Sequence, residues 1–300
     1  MKNKSLIIYF IILFLVSLGL IVGMKILGQG GNYLAQAYMM TPAIAALITR
    51  LFFYDKRFKD ANLRFGKLKH YFKFWGIAAA ITLFSFLIFT LLGSIDWDLS
   101  GASFLERLSE QFALSGQDIM SGLPPGFTPQ IMLWLFFIGG LTLFNIVPGI
   151  ISGFGEEFGH RGFMFPALYK IKPWFAFIGG GLIWYAWHWP LMLVMPQASA
   201  IPFYQTVGNM IFLAIGSICT FTFLAYVYVK SRSIWVTSIA HITMNNAAAS
   251  FSYFVIIKNQ FLANFGLMLT MILVVVILYY LGEFRIFNNY FTKESNPTRV

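Results

Sequence analysis

Eight apolar runs of about 20 residues, set apart by short charged stretches, constrain this chain more than any other feature. They lie at roughly 5–27, 36–54, 72–93, 129–152, 174–195, 206–229, 234–256 and 260–282. Each is long enough to cross a hydrocarbon core about 30 Å thick as a helix. Only a helix or a closed barrel satisfies its backbone there, and runs of this length exclude barrel strands. Composition agrees: 58% of the 300 residues are hydrophobic and 11% charged, far from the quarter typical of soluble domains. The expected fold is an all-α membrane protein, a single polytopic domain over 1–300 built as a bundle of about eight transmembrane helices. Residues 1–27 have a basic start, but their apolar core is long for a signal peptide. They read as a retained first span.

The net charge of +10 would suggest nucleic acid in a soluble protein, but its placement here describes topology instead, and no nucleic-acid partner is expected. Lys56, Arg57, Lys59, Arg64, Lys67, Lys69 and Lys73 crowd one loop. Lys2, Lys4, Lys170, Lys172, Lys230, Arg232, Arg285, Lys293 and Arg299 fall on the same side if the spans number eight. The opposite loops carry mainly Arg107 and Lys258, and 95–126 holds Asp96, Asp98, Glu106, Glu110 and Asp118. Positive-inside counting therefore predicts a multi-pass protein of the cell membrane with both termini cytoplasmic. The basic loop reads as a topology determinant touching anionic lipid. Residues 103–114 have the spacing of a short interfacial amphipathic helix, and Pro124-Pro125-Gly126 ends that loop. Cys219 is the only cysteine, which excludes an intrachain disulfide and a cysteine metal site.

Against this background Gly155-Glu156-Glu157-Phe158-Gly159-His160-Arg161-Gly162 stands out, because ionisable groups at membrane depth are costly unless paired or facing water. Glu157 and Arg161 are i,i+4 with the acid first, the favourable order for an ion pair. Glu156 and His160 share that spacing about 100° round the helix and predict a second pair. Glu157–Arg161 is expected to hold the helix end and leave Glu156 free for chemistry. His188 falls near the middle of the fifth span, four residues after Trp184; His241 and Asn245 share one face of the seventh.

Each of these residues has an ordinary structural role available: a histidine or asparagine in a span commonly bonds a neighbouring helix. Together they supply a hydrolytic site. A carboxylate beside a histidine can activate water, and a second histidine with an amide can donate to an oxyanion. Glu156, His188 and His241 could equally ligate zinc with an open position. There is no His-Glu-x-x-His or Gly-x-Ser-x-Gly signature, and Gly179-Gly180-Gly181 lies within a span, where it reads as close helix packing.

Glu156-Glu157-x-x-x-Arg161, Trp184-x-x-x-His188 and His241-x-x-x-Asn245, in that order on separate spans, resemble the motifs of the CAAX protease and bacteriocin-processing (CPBP, or Abi) family. These intramembrane endopeptidases are related to CAAX prenyl protease 2. The resemblance covers about 130–250. It implies an eight-helix bundle with a polar cavity open to the cytoplasmic side. It implies Glu156 as the water-activating carboxylate, His188 as its assistant, His241 and Asn245 as the oxyanion hole, and Glu157 with Arg161 as structural support. The family motif usually begins with Phe where this chain has Trp184. The glutamate mechanism requires no cofactor and is slightly favoured, with no metal assigned; zinc is the alternative. The implied partners are the lipid bilayer and a peptide or membrane-protein substrate, of CAAX type or of peptide or bacteriocin type. A non-catalytic scaffold or bacteriocin-immunity protein would keep the same cluster for stability, and a transporter would use it as a proton relay. No internal repeat supports the transporter.

Overall fold

The computed structural model describes residues 4–28, 33–114, 126–194 and 203–295, so Lys2, Asp118, Pro124, Pro125 and Arg299 lie outside the described residues. The chain is mostly helical. In order it forms α1 (Lys4–Leu27), α2 (Leu34–Met39), α3 (Thr41–Phe52), α4 (Leu68–Leu91), β1 (Ile95–Trp97), α5 (Ala102–Leu114) and α6 (Pro129–Leu141). There follow α7 (Gly149–Gly159), a π-helical turn (His160–Met164), α8 (Phe165–Ile171), α9 (Pro173–Val194), α10 (Phe203–Ser231) and α11 (Ile234–Ser252). The chain closes with β2 (Val255–Ile257), α12 (Gln260–Tyr280) and α13 (Arg285–Ser295).

Among the described residues four helices, α1, α4, α10 and α12, are long and apolar enough to cross a membrane by length and composition alone. Side chains such as Phe14, Leu15 and Leu91 stand largely exposed on the outside, as lipid-facing residues do. The other expected spans are shorter, broken or more polar. Where one span was expected over 129–152, α6 stops at Leu141 and α7 starts at Gly149. Trp75 Nε1 (2.6 Å) and Asn145 Nδ2 (3.0 Å) donate to the Leu141 carbonyl that the missing turn leaves open. The break has a consequence for the motif. Glu156 lies inside a second helical run over 149–171, where it is buried.

One end of the bundle is tied shut by polar contacts between loops. Arg50 reaches Asp60 (2.8 Å) and the Arg57 carbonyl, and Tyr54 donates to the same Asp60 (2.6 Å). Ile234 N donates to Asn62 O (3.0 Å), Trp235 Nε1 to Leu63 O (2.9 Å), Arg64 Nε to Arg232 O (2.9 Å) and Asn62 Nδ2 to the Tyr290 hydroxyl (2.7 Å). α13 completes this end, with Phe287 and Tyr290 buried and Phe291 stacked 4.0 Å from Tyr169. The basic loops gather here.

The other end carries a two-stranded antiparallel ribbon with register Ile95↔Ile257, Asp96↔Ile256 and Trp97↔Val255. Strand alternation puts Ile95, Trp97, Val255 and Ile257 on one face and Asp96 and Ile256 on the other. The expected amphipathic helix is present as α5, and Leu105 packs with Leu133 and Phe254.

Candidate functional site

α7 is clamped on two sides by helices that approach its backbone. A Cβ at Gly159 would stand 2.3 Å from Pro42 Cβ of α3, and one at Gly153 would stand 2.9 Å from the Ser238 carbonyl of α11. Only glycine permits such contact, which is how small residues bring membrane helices together. The π turn follows directly. Pro166 has no N–H to give the Gly162 carbonyl four residues back, and Arg50 Nη2 donates to that oxygen instead. The two adjacent glutamates are therefore fixed on a helix with little freedom to shift.

They face different surroundings. Glu157 is fully buried. Its Oε1 accepts from Arg161 Nη1 at 2.8 Å and from His241 Nδ1 at 2.8 Å. Arg161, also fully buried, lies 4.2 Å from the ring centre of Phe221 and 4.9 Å from that of Trp184, cation–π contacts that help hold the guanidinium in an apolar wall. The expected Glu157–Arg161 pair is present. His241 joins it, an interaction that the sequence spacing did not reveal because it crosses from α11 to α7.

Glu156 turns the other way. Its Oε2 accepts from Trp184 Nε1 at 2.9 Å and stands 3.8 Å from His188 Nε2, beyond direct hydrogen-bond distance. His188 Nδ1 lies 2.8 Å from the Trp184 carbonyl, an acceptor only, so this nitrogen carries the proton. In the neutral ring Nε2 then presents its lone pair towards Glu156. The predicted Glu156–His160 pair does not form. His160 is buried with both ring nitrogens unpartnered, edge-on to Trp187 at 5.3 Å. The indole of Trp184 has taken the place on Glu156 that i,i+4 spacing offered to His160.

Glu156, Trp184, His188, His241 and Asn245 all line one cavity of about 580 Å³. The three helices thus bring together the residues expected to converge. Asn246 is turned away to Asn145 (2.9 Å). Among the described residues no group of three or more His, Cys, Asp or Glu side chains is placed to hold a metal ion. Trp184 is the residue that sequence reasoning undervalued. A Phe at this position would fill the same wall but could not donate to Glu156.

Beyond Glu156 and His241 the cavity walls include Ile81, Ser85, Phe89 and Phe212, and Ile95, Val255, Ile257 and Gln260 at the ribbon end.

Compared with known proteins, residues 138–247 match the family described as Type II CAAX prenyl endopeptidase Rce1-like, a segment that contains all three motifs. No curated protein matches the chain.

Proposed function

With residues 138–247 identified as a CAAX-protease-type (CPBP) segment, we propose that this chain hydrolyses peptide bonds inside the membrane with Glu156 as the base that activates water. In this reading the chain crosses the membrane eight times, with both termini in the cytoplasm. A water beside Glu156 Oε2 and His188 Nε2 gives its proton to Glu156 as its oxygen adds to the scissile carbonyl carbon. The carbonyl electrons move onto oxygen, and Asn245 and His241 donate to that oxyanion. Glu156 then passes the proton to the departing nitrogen, the C–N bond breaks, and an acid and an amine leave.

The role of His241 follows from a proton inventory. Its Nδ1–H is given to Glu157 (2.8 Å), so it can donate from Nε2 only as an imidazolium. Glu157 supplies the compensating charge. With Arg161 and Glu156 the cluster then holds two positive and two negative groups. Glu157 thereby acts on the oxyanion through His241 as well as holding Arg161.

The observation that carries this reading is the convergence of Glu156, His188, His241 and Asn245 on one cavity from three helices. The scaffold reading leaves a cavity with an inward-facing carboxylate unexplained. The test is a peptidase assay in liposomes on quenched peptides, a farnesylated CAAX peptide among them, with and without a strong zinc chelator. Cleavage that survives the chelator is expected. Cleavage lost with chelator and restored by zinc would replace the glutamate mechanism with a metal one. A full panel left uncut would remove the peptidase reading.

A further inference from the structure

The helix that carries His188 is interrupted close to the residue it has to hold still. Pro190 lies within α9, two residues after His188, and has no N–H for the Ala186 carbonyl four residues back. Its ring also crowds that turn, so the backbone ladder of α9 is weakened around the histidine. Support at this turn comes from helices far upstream of all three motifs. Tyr38, fully buried near the end of α2, donates its hydroxyl to the Trp187 carbonyl at 2.6 Å and stacks on the Trp187 ring with centres 5.1 Å apart. Trp187 Nε1 in turn donates to the Ser17 and Thr41 hydroxyl oxygens, each at 3.2 Å, and Ser17 donates on to Thr41 at 3.0 Å. The indole held in this way stands edge-on to the His188 imidazole, with ring centres 4.6 Å apart.

The corner at 38–42, where α2 passes into α3, also touches the helix of Glu156. A Cβ at Gly155 would stand 2.6 Å from the Met39 carbonyl oxygen, and one at Gly159 would meet Pro42. Gly155 and Gly159 are i,i+4, so they share the face of α7 on which the corner packs. Met39 itself lines the cavity. One corner thus grips α7 through glycine contacts and α9 through hydrogen bonds, and between those helices Glu156 Oε2 and His188 Nε2 stand 3.8 Å apart. We propose that this corner is a positioning element for the reaction, with Tyr38 as the positioning residue that holds His188, through Trp187, at the distance from Glu156 that one shared water spans. Each of the two atoms must lie about 2.8 Å from that water, so a shift of α9 by about 1 Å breaks one contact. Packing alone would require only the Tyr38 ring. The buried hydroxyl on the Trp187 carbonyl is what ties the ring to the backbone of the His188 turn.

The proposal rests on the peptidase reading, and its test separates the two. Tyr38→Phe keeps the stacked ring and deletes the hydroxyl. Cleavage of quenched peptides by the full chain in liposomes is measured beside wild type, with melting temperature and amide hydrogen exchange taken on the same preparations. The expected result is a kcat about tenfold lower at unchanged KM and melting temperature, the worth of one hydrogen bond. Exchange should be about five- to tenfold faster in the segment 187–191 and unchanged in α4 and α12. Thr41→Val, which leaves Trp187 Nε1 with Ser17, should show the same pattern more weakly, and it is read instead if Tyr38→Phe does not fold. A wild-type kcat in the variant would overturn the proposal, as would a lower kcat with unchanged exchange at 187–191, because Tyr38 would then act elsewhere. A melting temperature that falls along with kcat would overturn it too, by making the corner general support for the fold. No cleavage by wild type would remove the peptidase reading and with it the catalytic meaning of the corner.

Discussion

The two sides of α7 hold neighbouring glutamates in opposite conditions. On one side Glu157 is sealed among Arg161, His241 and aromatic rings; on the other Glu156 looks into a cavity past an indole and an imidazole. A buried charge is tolerable only with its counter-charge in place, so the first environment is built for permanence. The second leaves one carboxylate oxygen close to a histidine at a distance that suits a shared water rather than a bond. Identical side chains one residue apart thus separate into support and chemistry through the helices that pack against them.

The largest effect on stability is expected on the sealed side. Arg161→Met removes the counter-charge of Glu157 and should cost roughly 3–5 kcal/mol, read as a large fall in melting temperature in detergent. A variant as stable as wild type would show that the sealed cluster is not what holds the helix. Next is Gly159→Ala, whose Cβ would meet Pro42 at 2.3 Å. Overpacking of this kind costs about 1–3 kcal/mol, and the same thermal measurement should show it. An unchanged melting temperature would mean that α3 and α7 separate easily.

On the open side, Trp184→Phe keeps the ring and deletes the donor to Glu156. A hydrogen bond worth about 1.4 kcal/mol predicts a tenfold lower kcat with little change in KM or melting temperature. A change confined to stability would move Trp184 to the sealed side. The smallest effect belongs to the tied end. Burial raises the Asp60 carboxyl, but hydrogen bonds from Tyr54 and Arg50 outweigh it and hold the group below its ordinary value. Its contribution is present above the unfolded value of about 3.9 and is lost as pH falls through the lower folded value. Wild type should therefore lose more stability than Asp60→Asn between about pH 4 and pH 3. Equal losses would remove Asp60 from the clamp.

Much of this was legible in the sequence because the membrane imposes simple rules. Apolar length gave the long helices, and i,i+4 spacing gave Glu157–Arg161. The break after Leu141 was harder to see. Residues 129–152 are mostly apolar, so their length hides the breaking signals of Asn145 and Pro148, and it is the contacts of Trp75 and Asn145 that make an interrupted helix tolerable there. The loss of the Glu156–His160 pair and the gain of Glu157–His241 were not legible, since both depend on which helix faces α7. α13 could have been found: Phe287, Tyr290 and Phe291 at i, i+3 and i+4 mark an apolar face.

The most direct measurement is peptide cleavage by Glu156→Gln and Glu157→Gln side by side in liposomes, with melting temperatures taken on the same preparations. Glu156→Gln should keep its melting temperature and lose about 10²–10⁴-fold in kcat, the contribution of a positioned base. Glu157→Gln should instead lose melting temperature. Wild-type cleavage by Glu156→Gln would contradict the assignment of the two carboxylates.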